Sequence, residues 1–271
     1  ERNYELIKNA IAEPYGLILI SGPTGSGKST TLYSLLQEVD KSSKNVLSLE
    51  DPVEYDIDGL IQCQVNTDQE LTFAKLLRSF LRQDPDTILV GEIRDLETAQ
   101  IAIQASLTGH LVFSTLHTNN APETVTRLID MGMEPFSFSD ALLGILAQRL
   151  ARRLCDQCKV EYEASDSERA EFSGYLGETA LSRLAGSGSL RLFRAEGCVE
   201  CDNSGYRGRL PLHELLVNND EIREAIQKKA TTAELRLLAE KNGMRTLLQD
   251  GVAKCLQGLT DLKQVLAVCS R

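Results

Sequence analysis

Long hydrophobic runs are missing from this 271-residue chain. The longest apolar stretches, such as residues 16–20 and 88–90, have the length of buried strands, far below the roughly 18–20 residues that span a bilayer. No transmembrane segment is expected, so any membrane contact goes through a partner. An excess of positive charge is missing as well. Lysine and arginine total 29 against 39 for aspartate and glutamate, a formal net charge of −10, so no nucleic-acid partner is expected, and only a local basic patch remains open. The first residues have neither an initiator methionine nor the basic-then-apolar pattern of a secretory leader, so the sequence reads as a piece of a longer cytosolic protein. Cysteine is scarce. Seven residues are too few and too unevenly placed for a disulfide scaffold, yet four of them form two Cys-x-x-Cys pairs, which points to metal or redox chemistry. What remains is an ordinary globular composition, 42% hydrophobic and 25% charged, enough for one large domain or two modest ones.

Tyr4, Ile7 and Ile11 fall on one helical stripe closed by Pro14 and Gly16. Short apolar runs then alternate with amphipathic stretches. Strands are expected at 16–21, 46–49, 87–90 and 111–116, and helices at 28–39, 73–82, 96–107, 122–131 and 138–153. Strands alternating with helices predict an α/β fold with a parallel sheet covered on both faces. Residues 159–196 are rich in acidic and small residues, include the small-residue run at 185–189, and read as a surface excursion between the cysteine pairs. Helical patterns return at 222–229, 232–241 and 247–256, stopped by Asn242-Gly243 and Gly258.

The strongest chemical signal lies between the first strand and its helix. Gly22, Pro23, Thr24, Gly25, Ser26, Gly27, Lys28, Ser29 and Thr30 fit the G-x-x-x-x-G-K-[ST] pattern of a phosphate-binding loop. A backbone that wraps phosphates must turn its N–H groups inward, which calls for residues without a Cβ, and the helix starting near Lys28 adds its positive dipole end. Lys28 supplies a cation for β- and γ-phosphates and Ser29 a hydroxyl for Mg²⁺. Two strand ends supply acids. Glu92 closes the apolar run 88–90 where a metal-side carboxylate belongs, and Glu50, with Asp51 and Glu54 near it, closes another strand where a carboxylate can accept a proton from attacking water. Solvated strand ends and helix caps are the structural alternatives, and Glu54 falls on that side.

With this loop, the segments at 49–54 (LEDPVE), 82–95 (RQDPDTILVGEIRD) and 108–120 (TGHLVFSTLHTNN) resemble the ordered motifs of the secretion ATPase superfamily, the group of type II secretion and type IV pilus assembly ATPases. The resemblance extends over essentially the whole chain. It implies a RecA-like P-loop core that hydrolyses ATP with Mg²⁺, with Glu50 activating water and Glu92 on the metal side. It also implies that His117 lies near the γ-phosphate and reports its state; a satisfied structural histidine is the alternative there, and more so at His110. Members carry N-terminal domains that donate arginines to a neighbouring subunit's site, and this chain begins after them. Arg78, Arg82, Arg94 and Arg127 are the remaining candidates for trans or sensor roles, but they read as surface or salt-bridged arginines and stay outside the site.

Cys155 and Cys158, then Cys198 and Cys201, are knuckles that would complete the tetrahedral sulfur shell of Zn²⁺. Redox pairs, disulfides and unliganded thiols are the other readings. The 39 residues between the knuckles exceed an ordinary ribbon but suit a finger-like excursion. The resembled group has a comparable tetracysteine insertion followed by a Gly-Tyr-Arg-Gly-Arg segment, here 205–209, which the pilus retraction ATPases lack. Zinc in a closed shell is architectural. Cys63, Cys255 and Cys269 read as small buried hydrophobes.

The expected organisation is an ATPase core at 1–154, a zinc-binding insertion at 155–207 and a mainly helical C-terminal segment at 208–271. The resemblance implies a cytoplasmic ring, most simply a homo-hexamer, peripheral at the inner membrane and docked on the platform proteins of a secretion or pilus machine. A retraction or DNA-uptake and conjugation motor of the same superfamily is the near alternative. A small-molecule kinase or a nucleotide-gated scaffold without turnover is the distant one.

Overall fold

The computed structural model describes residues 2–185 and 189–269, so residues 186–188 of the small-residue run lie outside the described residues. In chain order the elements are α1 (Arg2–Ala12), β1 (Gly16–Ser21), α2 (Lys28–Gln37), β2 (Val46–Glu50), β3 (Ile61–Gln64), α3 (Phe73–Phe80), β4 (Thr87–Val90), α4 (Leu96–Leu107), β5 (Leu111–Leu116), α5 (Ala121–Asp130), α6 (Pro135–Ala141) and β6 (Leu142–Leu154). They continue with β7 (Val160–Glu163), α7 (Asp166–Leu176), α8 (Glu178–Ala185), β8 (Arg191–Arg194), β9 (Tyr206–Val217), α9 (Asp220–Gln227), α10 (Thr232–Lys241), α11 (Leu247–Leu256) and α12 (Leu262–Cys269). The chain forms two compact units, Glu1–Ala147 with Leu215–Met244, and Gln148–Glu214 with Arg245–Arg271.

The sheet runs in the order β3-β2-β4-β5-β1-β6-β9, and the pairings from β3 through β6 are parallel. Every residue of β1, β2, β4 and β5 is buried, which is why these strands are apolar runs without alternation. Ile7 and Ile11 of α1 and Leu32, Tyr33, Leu35 and Leu36 of α2 pack into one core with Ile18, Ile20, Leu89 and Phe113 of the sheet. In register, Leu49 stands opposite Val90, Val90 opposite Ser114, and Ser21 opposite Leu116. The segments that follow these strands therefore leave along one carboxyl edge, where open α/β sheets place their ligands.

The helix expected over 138–153 is a correction. α6 ends at Ala141 and residues 142–154 form β6, which pairs with β1. Leucine, alanine, glutamine and arginine all favour helix, but burial beside a central strand overrides that weak preference. An apolar run buried on both faces also has no period that separates strand from helix. The excursion at 159–196 is likewise more built than expected. β7 and β8 pair antiparallel, α7 and α8 follow between them, and Phe172, Leu181, Leu190 and Leu192 are buried. α11 packs against α7, α8, β8 and α12 of the same unit. β3 and α12 were not read from the sequence; β3 is polar at both glutamines and largely solvent-facing. Among the described residues no helix is long and apolar enough to cross a membrane.

Candidate nucleotide and metal sites

The loop between β1 and α2 has the geometry its glycines foretell. Gly25 and Gly27 adopt φ of 78° and 84°, and a Cβ built on Gly25 would meet nothing within 4 Å, so the loop is open on that side. Gly27 is the N-cap of α2 and provides no side-chain acceptor, and the first turn holds no acid. α3, α4 and α5 by contrast are capped by Thr72, Asp95 and Asn120. An uncapped helix start with its positive end and a Cβ-free approach fits a phosphate chain. Lys28 Nζ donates to the carbonyls of Gly22 (2.8 Å) and Pro23 (3.0 Å), holding its cation across the loop mouth. Ser29 sits half-buried on the first turn of α2.

Glu92 follows β4 and is mostly buried. Its Oε1 is paired with Arg94 Nη2, and its Oε2 lies 3.5 Å from His117 Nε2. Arg94 Nη1 reaches Asp51 Oδ2 at 3.4 Å, so this arginine, set aside from the sequence, bridges the acids that follow two strands. The hydrogen bond to Glu92 raises the guanidinium pKa above its ordinary value, with partial burial working against it. His117 therefore stands beside Glu92. His110 Nδ1 contacts the Ala105 carbonyl at 2.9 Å in the turn after α4, a structural role. Glu54 is exposed, and Arg78 is paired with Glu97 at 2.7 Å.

Glu50 at the end of β2 is buried and heavily bonded. Its Oε1 accepts from Ser48 Oγ (2.7 Å) and Gln62 Nε2 (3.0 Å), and its Oε2 accepts from the Tyr33 hydroxyl of α2. Tyr33, Ser48 and Gln62 had no sequence signal, because their partner is fixed only once β2, β3 and α2 are packed together.

The second unit carries the cysteine cluster. Cys155 and Cys198 sulfurs are 3.9 Å apart, Cys158 and Cys201 3.8 Å, and Cys198 and Cys201 3.7 Å. A tetrahedral shell with Zn–S near 2.3 Å puts its sulfurs about 3.8 Å apart, which these three separations match, and all four sulfurs lie within 4.8 Å of one another, so the donor set fits the ion. Among the described residues they are the group of three or more histidines, cysteines or acids that could hold a metal ion. Backbone N–H groups of Cys198 and Gly205 donate to Cys201 Sγ at 3.2 Å each. Burial raises the Cys158 thiol, whereas at Cys201 those donors outweigh burial and favour the thiolate. Gly205 makes the turn possible with φ of 76°, and a Cβ there would stand 2.5 Å from that of Ala195.

A parallel sheet whose carboxyl edge carries this loop and two strand-end carboxylates defines a P-loop nucleotide-binding α/β protein. The comparisons narrow the class. The profile of the family described as "Type II/IV secretion system protein" matches residues 1–267, and the chain belongs to that family. It is 52% identical over 264 residues to the type IV pilus assembly ATPase PilB of Thermus thermophilus, covering 97% of this chain and 29% of that protein. It is 51% identical over 268 residues to the type II secretion system ATPase E of Vibrio cholerae, covering 98% and 51%. The solved pilus retraction motor PilT with bound ADP superposes with a TM-score of 0.69 at 30% identity, covering 97% of this chain and 63% of that one. The chain thus spans about half or less of the length of these curated relatives.

Proposed function

We propose that this chain hydrolyses ATP and that the energy drives type II secretion or type IV pilus assembly. The observation that carries the reading is the phosphate loop at the end of β1 on the same sheet edge as Glu50 and Glu92. The loop from Gly22 to Thr30 binds the phosphates through N–H groups that follow Pro23, which itself has none, and Lys28 leaves the Gly22 and Pro23 carbonyls to meet the β- and γ-oxygens. Glu50 takes a proton from the water that attacks the γ-phosphorus, whose bond to the bridging oxygen breaks to give ADP and phosphate. When bound, Mg²⁺ neutralises charge on the β- and γ-oxygens, and Ser29 and Glu92 are the residues that hold it. Arg94 restrains Glu92, and His117 beside Glu92 is placed to sense the metal side. Residues 1–154 carry this chemistry, residues 155–207 the structural zinc, and residues 208–271, which open on most of β9, the mainly helical remainder. The working form is a homo-hexameric ring, cytoplasmic and docked on inner-membrane platform proteins.

Lys28→Ala is expected to lower turnover by about 10²–10³-fold and to weaken ATP binding, since a cation aimed at transition-state charge is lost. Glu50→Gln is expected to bind Mg²⁺-ATP normally with turnover lost. Phosphate release and nucleotide binding measured on both variants decide the reading; wild-type turnover in either rejects the corresponding role.

A further inference from the structure

We infer that Tyr33 is the positioning residue for Glu50, tying the proton acceptor to the phosphate-loop helix and fixing the direction of the lone pair left for the water. The inference rests on the reading of Glu50 as the base. Tyr33 lies on α2, five residues after Lys28, and is fully buried, with its hydroxyl on Glu50 Oε2. A carboxylate offers about four lone-pair positions. Ser48 and Gln62 fill the two on Oε1, and Tyr33 fills one on Oε2. The remaining position, the second on Oε2, is the one a water can use, and the Tyr33 hydrogen bond fixes its direction.

The support around this pair is rigid. Gln62 also donates to the Tyr55 carbonyl at 3.1 Å and accepts from Ile57 N–H at 2.7 Å, so its amide orientation is set. The Tyr55 ring meets Tyr33 edge-on, with centroids 4.6 Å apart and planes at 80°. Val65 N–H donates to the Glu50 carbonyl at 2.8 Å, anchoring the backbone beneath the carboxylate. Burial first, and then the bond to Glu50, raises the Tyr33 pKa, so the phenol remains a donor throughout the working range. The same helix that begins at the phosphates thereby holds the base, and α2 sets the distance between them.

The test uses Tyr33→Phe in the assembled protein, since phenylalanine keeps the ring and its contact with Tyr55. We expect kcat to fall about ten- to a hundredfold, as for a reacting group held out of line. KM and ADP affinity should change by less than about twofold, the signature of an interaction made in the transition state. On a Glu50→Gln background the same substitution should change residual turnover by less than about twofold, because the carboxylate it acts through is gone. Unchanged kcat in Tyr33→Phe, or an equal loss on the Glu50→Gln background, overturns the inference. Full turnover in Glu50→Gln alone overturns the base assignment instead, and the two failures are read from different variants. Tyr33→Met removes the same hydroxyl while filling much of the ring's space and carries the test, with the same background dependence, if Tyr33→Phe does not fold.

Discussion

At the scale of single residues, position along a strand foretold more than partnership did. The positions of Glu50 and Glu92 at the sheet's carboxyl edge were legible because each follows an apolar run that forms a buried strand. Tyr33, Ser48, Gln62 and Arg94 were not, because their meaning lies in contacts across 2 to 43 positions that no local pattern records. His213 is another residue with no sequence signal. Its Nε2–H donates to the Gln148 side-chain oxygen at 3.2 Å, and its pKa falls to about 4 because burial, and then the Lys254 charge, disfavour the imidazolium, with Asp250 opposing. An unfolded histidine binds its proton near 6.5. Between about 6.5 and 4 the unfolded chain therefore holds the extra proton, and stability rises with pH across that window. The contribution is fully present above about 6.5 and is lost as pH falls toward 4. Urea midpoints of wild type and His213→Gln compared across this range should show the shallower acid slope in the variant; parallel slopes would refute the assignment.

At the scale of elements, the phosphate loop was fully legible, since strand, glycines, lysine and helix are contiguous and each has its own signature. β6 was not, because Leu142, Ile145 and Leu146 are buried beside β1 and read equally well as a helical stripe. The knuckles lie between these cases. Spacing predicted four ligands, whereas the turn that delivers them depends on Gly205 and on N–H donors to Cys201, which only the fold reveals. Purified protein should contain about one zinc per chain, as expected of a closed Cys₄ shell. Cys→Ser at 155, 158, 198 or 201 should lower that content and reduce the thermal midpoint by several degrees, since metal binding energy is folding energy. Gly205→Ala should do the same without removing a ligand, because its Cβ would collide with Ala195. Metal-free protein with four reactive thiols would sink the zinc assignment, and full zinc content in Gly205→Ala would show that the turn tolerates a Cβ.

At the scale of the whole molecule, the question is whether one chain carries enough positive charge for phosphoryl transfer. The net charge is −10, and the site holds two strand-end acids against the Lys28 cation. Arg94, the arginine beside them, is neutralised by Glu92 and Asp51, and Arg78 is committed to Glu97. Release of the γ-phosphoryl group spreads charge over three oxygens, and a further cation at that point is worth about 10³–10⁵ in rate. If a neighbouring copy supplies it, turnover per chain depends on assembly even though nucleotide binding does not. The expected result is saturable binding of Mg²⁺-ATP by dilute monomer with slow hydrolysis, and a rise in turnover per chain as rings form with concentration. Turnover and oligomeric state measured on the same samples separate the cases: a monomer that already matches the assembled enzyme would mean that Arg94 exchanges its carboxylates for phosphate during the reaction and that the site is complete within one chain.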